Sequence, residues 1–287
     1  MRLGVVGMLP ANPAEIRTRH LAAIRALRLT GVGLSISAKN SPPATAPMWQ
    51  RVRLLFADEG IDIVQVGIGY QACLFDPDDE ARSLLLEEIR RGFGIARALG
   101  AHAALIRSGS LSANGSYSPH RENHRPACRD RLLDSLRWLA SVAESLEQTV
   151  VVETHLLTIM RSPEFNRAVI RDVGSTRMRL VMDYVNHFQS LHQVYDSRER
   201  LRHIFDCMGP VSAIGHCKDI AVRDGFVLHM DEEVPGEGEL DLGTALRLWH
   251  EEHPDGYMML EHLPDESYPL AAANVHGILE KERIPVY

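Results

Sequence analysis

In the second half of the chain, four apolar runs end in residues able to bind a hard or borderline divalent cation: TVVVE ends at Glu153, MRLVMD at Asp183, VSAIGH at His216 and YMMLE at Glu261. The successive separations are 30, 33 and 45 residues, each about one strand, one helix and their loops. If the runs are parallel strands, all four side chains arrive at the same end of one sheet. Three carboxylates at contact distance repel one another and cannot all stay ionised without a counterion. A divalent cation removes that repulsion. Two Glu, one Asp and one imidazole form an oxygen-rich set suited to manganese, magnesium or cobalt, with zinc also accommodated, and no thiolate draws the site toward softer metals. Taken singly, an acidic residue at a strand end is most often a helix cap or an ion-pair partner; the common register of the four favours one shared metal ion.

Something must carry these residues to one place. Eight short apolar or β-branched runs punctuate the chain: 3–8, 33–37, 61–68, 103–107, 149–154, 178–183, 211–216 and 257–261. Between them lie segments such as RSLLLEEIRRGFGIARALG (82–100) and RDRLLDSLRWLASVAESLEQ (129–148), whose apolar positions recur at three and four and predict amphipathic helices. Eight repeats in 287 residues give about 36 residues per unit, the length expected for a closed (β/α)8 TIM barrel, an α/β fold forming a single domain over 1–287. The competing doubly wound sheet lacks support, because GMLPAN at 7–12 offers no glycine-rich phosphate turn after the first strand. Two irregular stretches, 38–47 and 108–127, follow predicted strands on the side where barrel sites are built and are expected to be pocket or lid loops; for 38–47 a plain surface excursion is the alternative. Trp49, Trp138 and Trp249 fall within helical patterns and are expected to pack.

Composition narrows the partners. A formal charge of −7 with no long Lys/Arg run argues against nucleic acid. Cys73, Cys128, Cys207 and Cys217 include no CxxC pair and read as reduced thiols. The start MRLGVVGM reaches Pro10 before a signal-peptide core could form, and no stretch approaches the roughly 18 apolar residues of a membrane span. A soluble, cytoplasmic protein with no membrane partner is expected.

With these residues in view, the chain resembles the xylose isomerase-like TIM-barrel superfamily of sugar isomerases and epimerases. The marks are the four ligand-type residues, the HxKD element at His216–Asp219 and the loop GEGELD at 236–241. The resemblance implies one divalent ion held by Glu153, Asp183, His216 and Glu261, with the two glutamates also moving the proton. It implies a small polyhydroxylated carbonyl substrate and a homo-dimer or homo-tetramer. The chemistry is coherent: a metal that polarises a ketose carbonyl and its neighbouring hydroxyl stabilises an enediolate, and two carboxylates on opposite faces remove and return the proton.

The chain also departs from the pattern. Many relatives carry a substrate-contacting His three residues after the strand-six Asp, where this chain has Asn186, followed by His187; Asn can position a hydroxyl but cannot act as an acid. That substitution, with the acidic charge, weakens a match to the multi-zinc endonucleases of the superfamily. His155, two residues beyond Glu153, faces the pocket if its strand continues that far, either as a general base or as a supporting group. Lys218 offers a cation to an enolate oxygen or forms a buried ion pair. Arg107, ending the fourth strand, could clamp a carboxylate or phosphate or lie at the surface; Arg223 resembles a substrate-binding Arg of some relatives, with its spacing shifted by one residue. Asp241 is placed to cap the helix starting at LGTALRLW. The expected activity is metal-dependent isomerisation or epimerisation in carbohydrate metabolism; a catalytic His155 would favour dehydration of a keto-sugar or keto-cyclitol, and a non-catalytic carbohydrate-binding subunit is a third reading.

Overall fold

The computed structural model describes all 287 residues. In chain order the elements are β1 (Arg2–Val6), α1 (Thr18–Ala26), β2 (Gly31–Ile36), α2 (Pro47–Asp58), β3 (Asp62–Ile68), α3 (Asp79–Leu99), β4 (Ala103–Arg107), α4 (Pro126–Ser145), β5 (Thr149–Glu153), α5 (Pro163–Val173), β6 (Met178–Met182), α6 (Leu191–Tyr195), α7 (Ser197–Met208), β7 (Ser212–Cys217), β8 (Asp219–Arg223), β9 (His229–Glu233), α8 (Leu242–Glu252), β10 (Tyr257–Glu261) and α9 (Tyr268–Lys281). Eight strands close a parallel barrel in the order β1-β10-β7-β6-β5-β4-β3-β2. These are the eight runs read from the sequence, each within two residues of the expected start and end.

The helices begin and end where local chemistry directs. Asp78 accepts from the backbone N–H groups of Glu80 and Ala81 to start α3, and Gly100, in the left-handed region at φ 71°, ends it. Ser162 and Gly174 do the same for α5, and Asp241 caps α8 through Thr244 N–H. Trp49 and Trp249 are fully buried, and Trp138 packs against the same core from α4. The four cysteines are buried and unpaired, and no helix is long and apolar enough to cross a membrane.

Strand alternation separates two cores. On β5, Val150 and Val152 join the large cluster under the helices, while Val151 joins a small cluster inside the barrel with Leu105, Val181, Ile214 and Met259. Side chains two residues further along each strand point the same way, which carries Arg107, Glu153, Asp183, His216 and Glu261 to the layer above this plug.

One element was not anticipated. The antiparallel hairpin of β8 and β9 interrupts the path from β7 to α8. β9 (HMDEE) is largely polar and half-exposed, and β8 (DIAVR) offers only the three apolar residues Ile220–Val222, shorter than the runs by which barrel strands are recognised.

Candidate metal centre

Barrel order places the four ligand-type residues side by side: Glu153 at the end of β5, Asp183 just past β6, His216 on β7 and Glu261 at the end of β10. One ligand atom from each lies within 4.8 Å of all the others. His216 Nδ1 is 2.9 Å from Glu261 Oε1, 3.6 Å from Asp183 Oδ2 and 3.8 Å from Glu153 Oε1. Asp183 and Glu261 are 0% and 4% exposed, so these charges have no solvent to screen them.

Lys218, also buried, places Nζ 2.8 Å from both Asp183 Oδ2 and Glu261 Oε1. Lys218 is thus a buried ion-pair partner, and the carboxylates it pairs with are two of the ring. The distances are ionic without hydrogen-bond angles. Both Asp183 oxygens, Glu261 Oε1 and His216 Nδ1 have no hydrogen-bond partner, which buried polar atoms rarely tolerate. Carboxylate oxygens that no hydrogen bond satisfies, converging on an imidazole nitrogen in an oxygen-rich set without thiolate, fit a single divalent cation.

The electrostatics follow from crowding. Burial and the neighbouring Glu261 carboxylate push Glu153 above the usual carboxylate range. Burial would raise Asp183 as well, but the Lys218 ammonium and His216 hold it well below its ordinary value. Against burial, His216 and Lys218 likewise draw Glu261 down to about 2. Burial disfavours the His216 imidazolium, yet Glu261 and Asp183 outweigh it and push its pKa up to about 10. Ligation through Nδ1 requires that proton to leave.

Comparison with known proteins decides the family. The family model described as xylose isomerase-like TIM barrel matches residues 21–279. The chain belongs to the xylose isomerase-like TIM-barrel family. Among solved structures, it is similar to a 3-keto-D-glucoside 4-epimerase from E. coli (TM-score 0.71, 16% identity, 98% of this chain and 99% of that one). It is also similar to a xylose isomerase-like TIM-barrel protein from Mycobacterium smegmatis in complex with magnesium (TM-score 0.69, 19% identity, covering 94% and 89%). A third similar structure is the probable 3-DHS dehydratase from Bacillus anthracis (TM-score 0.68, 12% identity, covering 96% and 98%). At these identities the correspondence is one of fold. No curated protein matches the chain.

In this xylose isomerase-like barrel the remaining candidates separate. β5 stops at Glu153, so the period-two rule does not extend to His155. The loop nevertheless brings its ring 5.7 Å from the Tyr117 ring. His155 Nδ1 accepts from Leu157 N–H at 3.2 Å, which places the neutral ring's proton on Nε2 and makes it a donor. Asn186 spends its amide on Thr154 O at 3.1 Å, pinning the loop after β5. Arg107 shares Glu153's register on the adjacent strand, but its guanidinium turns to the carbonyls of Tyr70 and Ile68 and stacks 4.5 Å over the Tyr70 ring. It lines a cavity of about 1090 Å³ over the ends of β2 and β3, with Ser35, Lys39, Asn40, Gln71 and Arg91. Arg223 forms cross-strand ion pairs with Asp231 and Glu233 on the hairpin and none with the ring.

Four residues around the ring were not singled out from sequence. Tyr117, from the 108–127 loop, donates its hydroxyl hydrogen bond to Glu153 Oε2. Gln65 on β3 faces His216. Glu232 on the hairpin lies 3.4 Å from Lys218 Nζ, and His262 Nδ1 lies 3.2 Å from the same atom. The 108–127 loop was marked by its irregularity, but which of its residues turns inward has no periodic signal. Asp219 of the HxKD element serves the backbone: its carboxylate accepts from the N–H groups of Ile220, Gly236, Gly238 and Leu240. A Cβ on Gly238 would fall on the Asp219 carboxylate and 2.6 Å from Ile220 O, so GEGELD wraps closely around one buried acid.

Proposed function

We propose that this chain is a divalent-metal-dependent isomerase or epimerase that moves a proton next to the carbonyl of a small keto-sugar or related polyol, in the cytoplasm. The observation that carries this reading is the convergence of Glu153, Asp183, His216 and Glu261 within 4.8 Å, with buried carboxylate oxygens that no hydrogen bond satisfies facing the His216 nitrogen. These four residues would hold the ion. When bound, it would polarise a carbonyl and an adjacent hydroxyl and lower the energy of an enediolate.

The chain's own residues supply the proton transfers. Glu153 and Glu261 reach the ring from β5 and β10, separated around the barrel by β6 and β7, so the two carboxyls approach it from different strands. A substrate carbon between them presents one face to each: one carboxylate removes the proton, the other returns it, and the configuration inverts. Tyr117 orients Glu153 through its hydroxyl, and Lys218 offers an ammonium to a developing enolate oxygen.

A second reading, dehydration of a keto-cyclitol or keto-sugar, draws on His155. With Nδ1 occupied by Leu157 N–H, its Nε2–H can donate to a departing β-hydroxyl. Manganese-loaded protein incubated in deuterated water with free ketoses, 3-keto-glycosides and keto-cyclitols separates the readings. Epimerisation places deuterium at the α-carbon without otherwise changing composition; dehydration releases water and leaves a conjugated carbonyl. Exchange should fall at least about 100-fold in Glu261→Gln and vanish on chelation. Full turnover after exhaustive chelation refutes the proposal, and binding of these compounds without exchange or dehydration identifies a non-catalytic subunit.

A further inference from the structure

We propose that Gln65 is a positioning residue that presents the Nδ1 lone pair of His216 to the ring; the inference rests on the ring being a metal centre. Gln65 is 151 residues from His216 in sequence, yet its Oε1 lies 3.0 Å from His216 Nε2. An imidazole has two nitrogens, and only one can face a cation. If Nε2 donates its proton to a carboxamide oxygen, the neutral ring carries its lone pair on Nδ1, the nitrogen surrounded by Glu153, Asp183 and Glu261. Without an acceptor at Nε2, the Nδ1–H tautomer would be the better one, because that proton would point at three carboxylates. Gln65 therefore sets both the plane of the ring and which nitrogen is free.

The surroundings show a place made for this side chain. Gln65 is 4% exposed, and beyond Asp62 at its start the rest of the strand is apolar, so a carboxamide there is costly unless hydrogen-bonded. Across on β2, its register partner is Gly33. A Cβ at Gly33 would lie 3.1 Å from Gln65 Cγ and 2.7 Å from Val6 Cγ2, so the neighbouring strand leaves out a side chain where Gln65 passes. Gln65 also differs from the ring residues in bearing no charge: it directs His216 without adding to the carboxylate repulsion.

The test is manganese binding, read by the electron paramagnetic resonance of free Mn2+, on wild type, Gln65→Met, Gln65→Glu and Asp183→Asn. Methionine keeps the length and removes the acceptor; glutamate restores it. We expect Gln65→Met to weaken binding about 10- to 100-fold and Gln65→Glu to bind as tightly as wild type or more tightly. The 15N shifts of His216 in the magnesium-loaded protein should report an Nε2–H ring in wild type and lose that signature in Gln65→Met. Should Gln65→Met fail to fold, Gln65→Asn withdraws the acceptor with the amide retained and carries the same expectation. Unchanged binding in Gln65→Met, or equal losses in the Met and Glu variants, overturns the positioning role while leaving the metal centre standing. Wild-type binding that is absent, or that survives Asp183→Asn, overturns the metal centre and this inference with it.

Discussion

Replacing Lys218 with methionine tests whether the ring is held together by charge. Lys218 is 2% exposed, and its ammonium lies 2.8 Å from one oxygen of Asp183 and one of Glu261, which are themselves buried. Methionine fills much of the same volume with no charge, so the loss is electrostatic. Removing one member of a buried ion pair costs about 3–5 kcal/mol, because the partner stays in a medium that cannot solvate it. Unfolding entropy of about 2.1 cal/mol/K per residue over 287 residues is roughly 0.6 kcal/mol/K, so the chelated variant should melt about 5–8 °C below chelated wild type. Manganese supplies the missing positive charge. At about 1,000 times its dissociation constant a ligand adds roughly 4 kcal/mol, and the gain should be larger in Lys218→Met, where no ammonium competes for the same oxygens. Paired scanning calorimetry with and without manganese reads both quantities. A chelated variant that melts with wild type, or equal metal-induced shifts in the two proteins, refutes the claim that Lys218 and a dication neutralise the same carboxylates.

Tyr117→Phe removes the hydroxyl donated to Glu153. A hydrogen bond to a charged group is worth about 1.5–3 kcal/mol, so kcat for deuterium exchange should drop roughly 10- to 100-fold with the fold unchanged by circular dichroism; an unaltered kcat rules out this role. Gly238→Ala drives a methyl group into Asp219 and Ile220 O and should lower the urea stability by about 1–3 kcal/mol, whereas an unchanged midpoint would mean that the GEGELD loop yields freely. Burial lowers the pKa of His187 from 6.5 to about 4, so it stays neutral in the folded protein while the unfolded chain takes up a proton below pH 6.5. Its contribution is intact above that pH and is lost as the pH falls toward 4, by up to roughly 3 kcal/mol. Urea titrations across this window should show a shallower decline for His187→Gln, and superimposable profiles would contradict the assignment.

The legible part of this protein is the part that repeats along the chain. Barrel strands buried on both faces read as short apolar runs, and the helices between them read at a period near 3.6 because one face meets the barrel. Glu153, Asp183, His216 and Glu261 stood out because each breaks such a run at the same point in its unit. The hairpin of β8 and β9 gave no comparable signal, since its strands rest on the rim with polar side chains outward.

Sequence alone therefore determined the barrel, the end of it where the ligand-type residues gather, and the donor types among them, all of which follow from local period and from which residue terminates each strand. Tertiary structure decided what those donors face. That Arg107 turns to Tyr70 while Tyr117 turns to Glu153, that Asn186 is spent on Thr154, that Glu232 and His262 reach Lys218, and that Gln65 meets His216 depend on how strands far apart in the chain become neighbours when the barrel closes. The closing pairs β1 with β10 and brings side chains from opposite walls into one interior, a distance relation that no spacing along the polymer encodes.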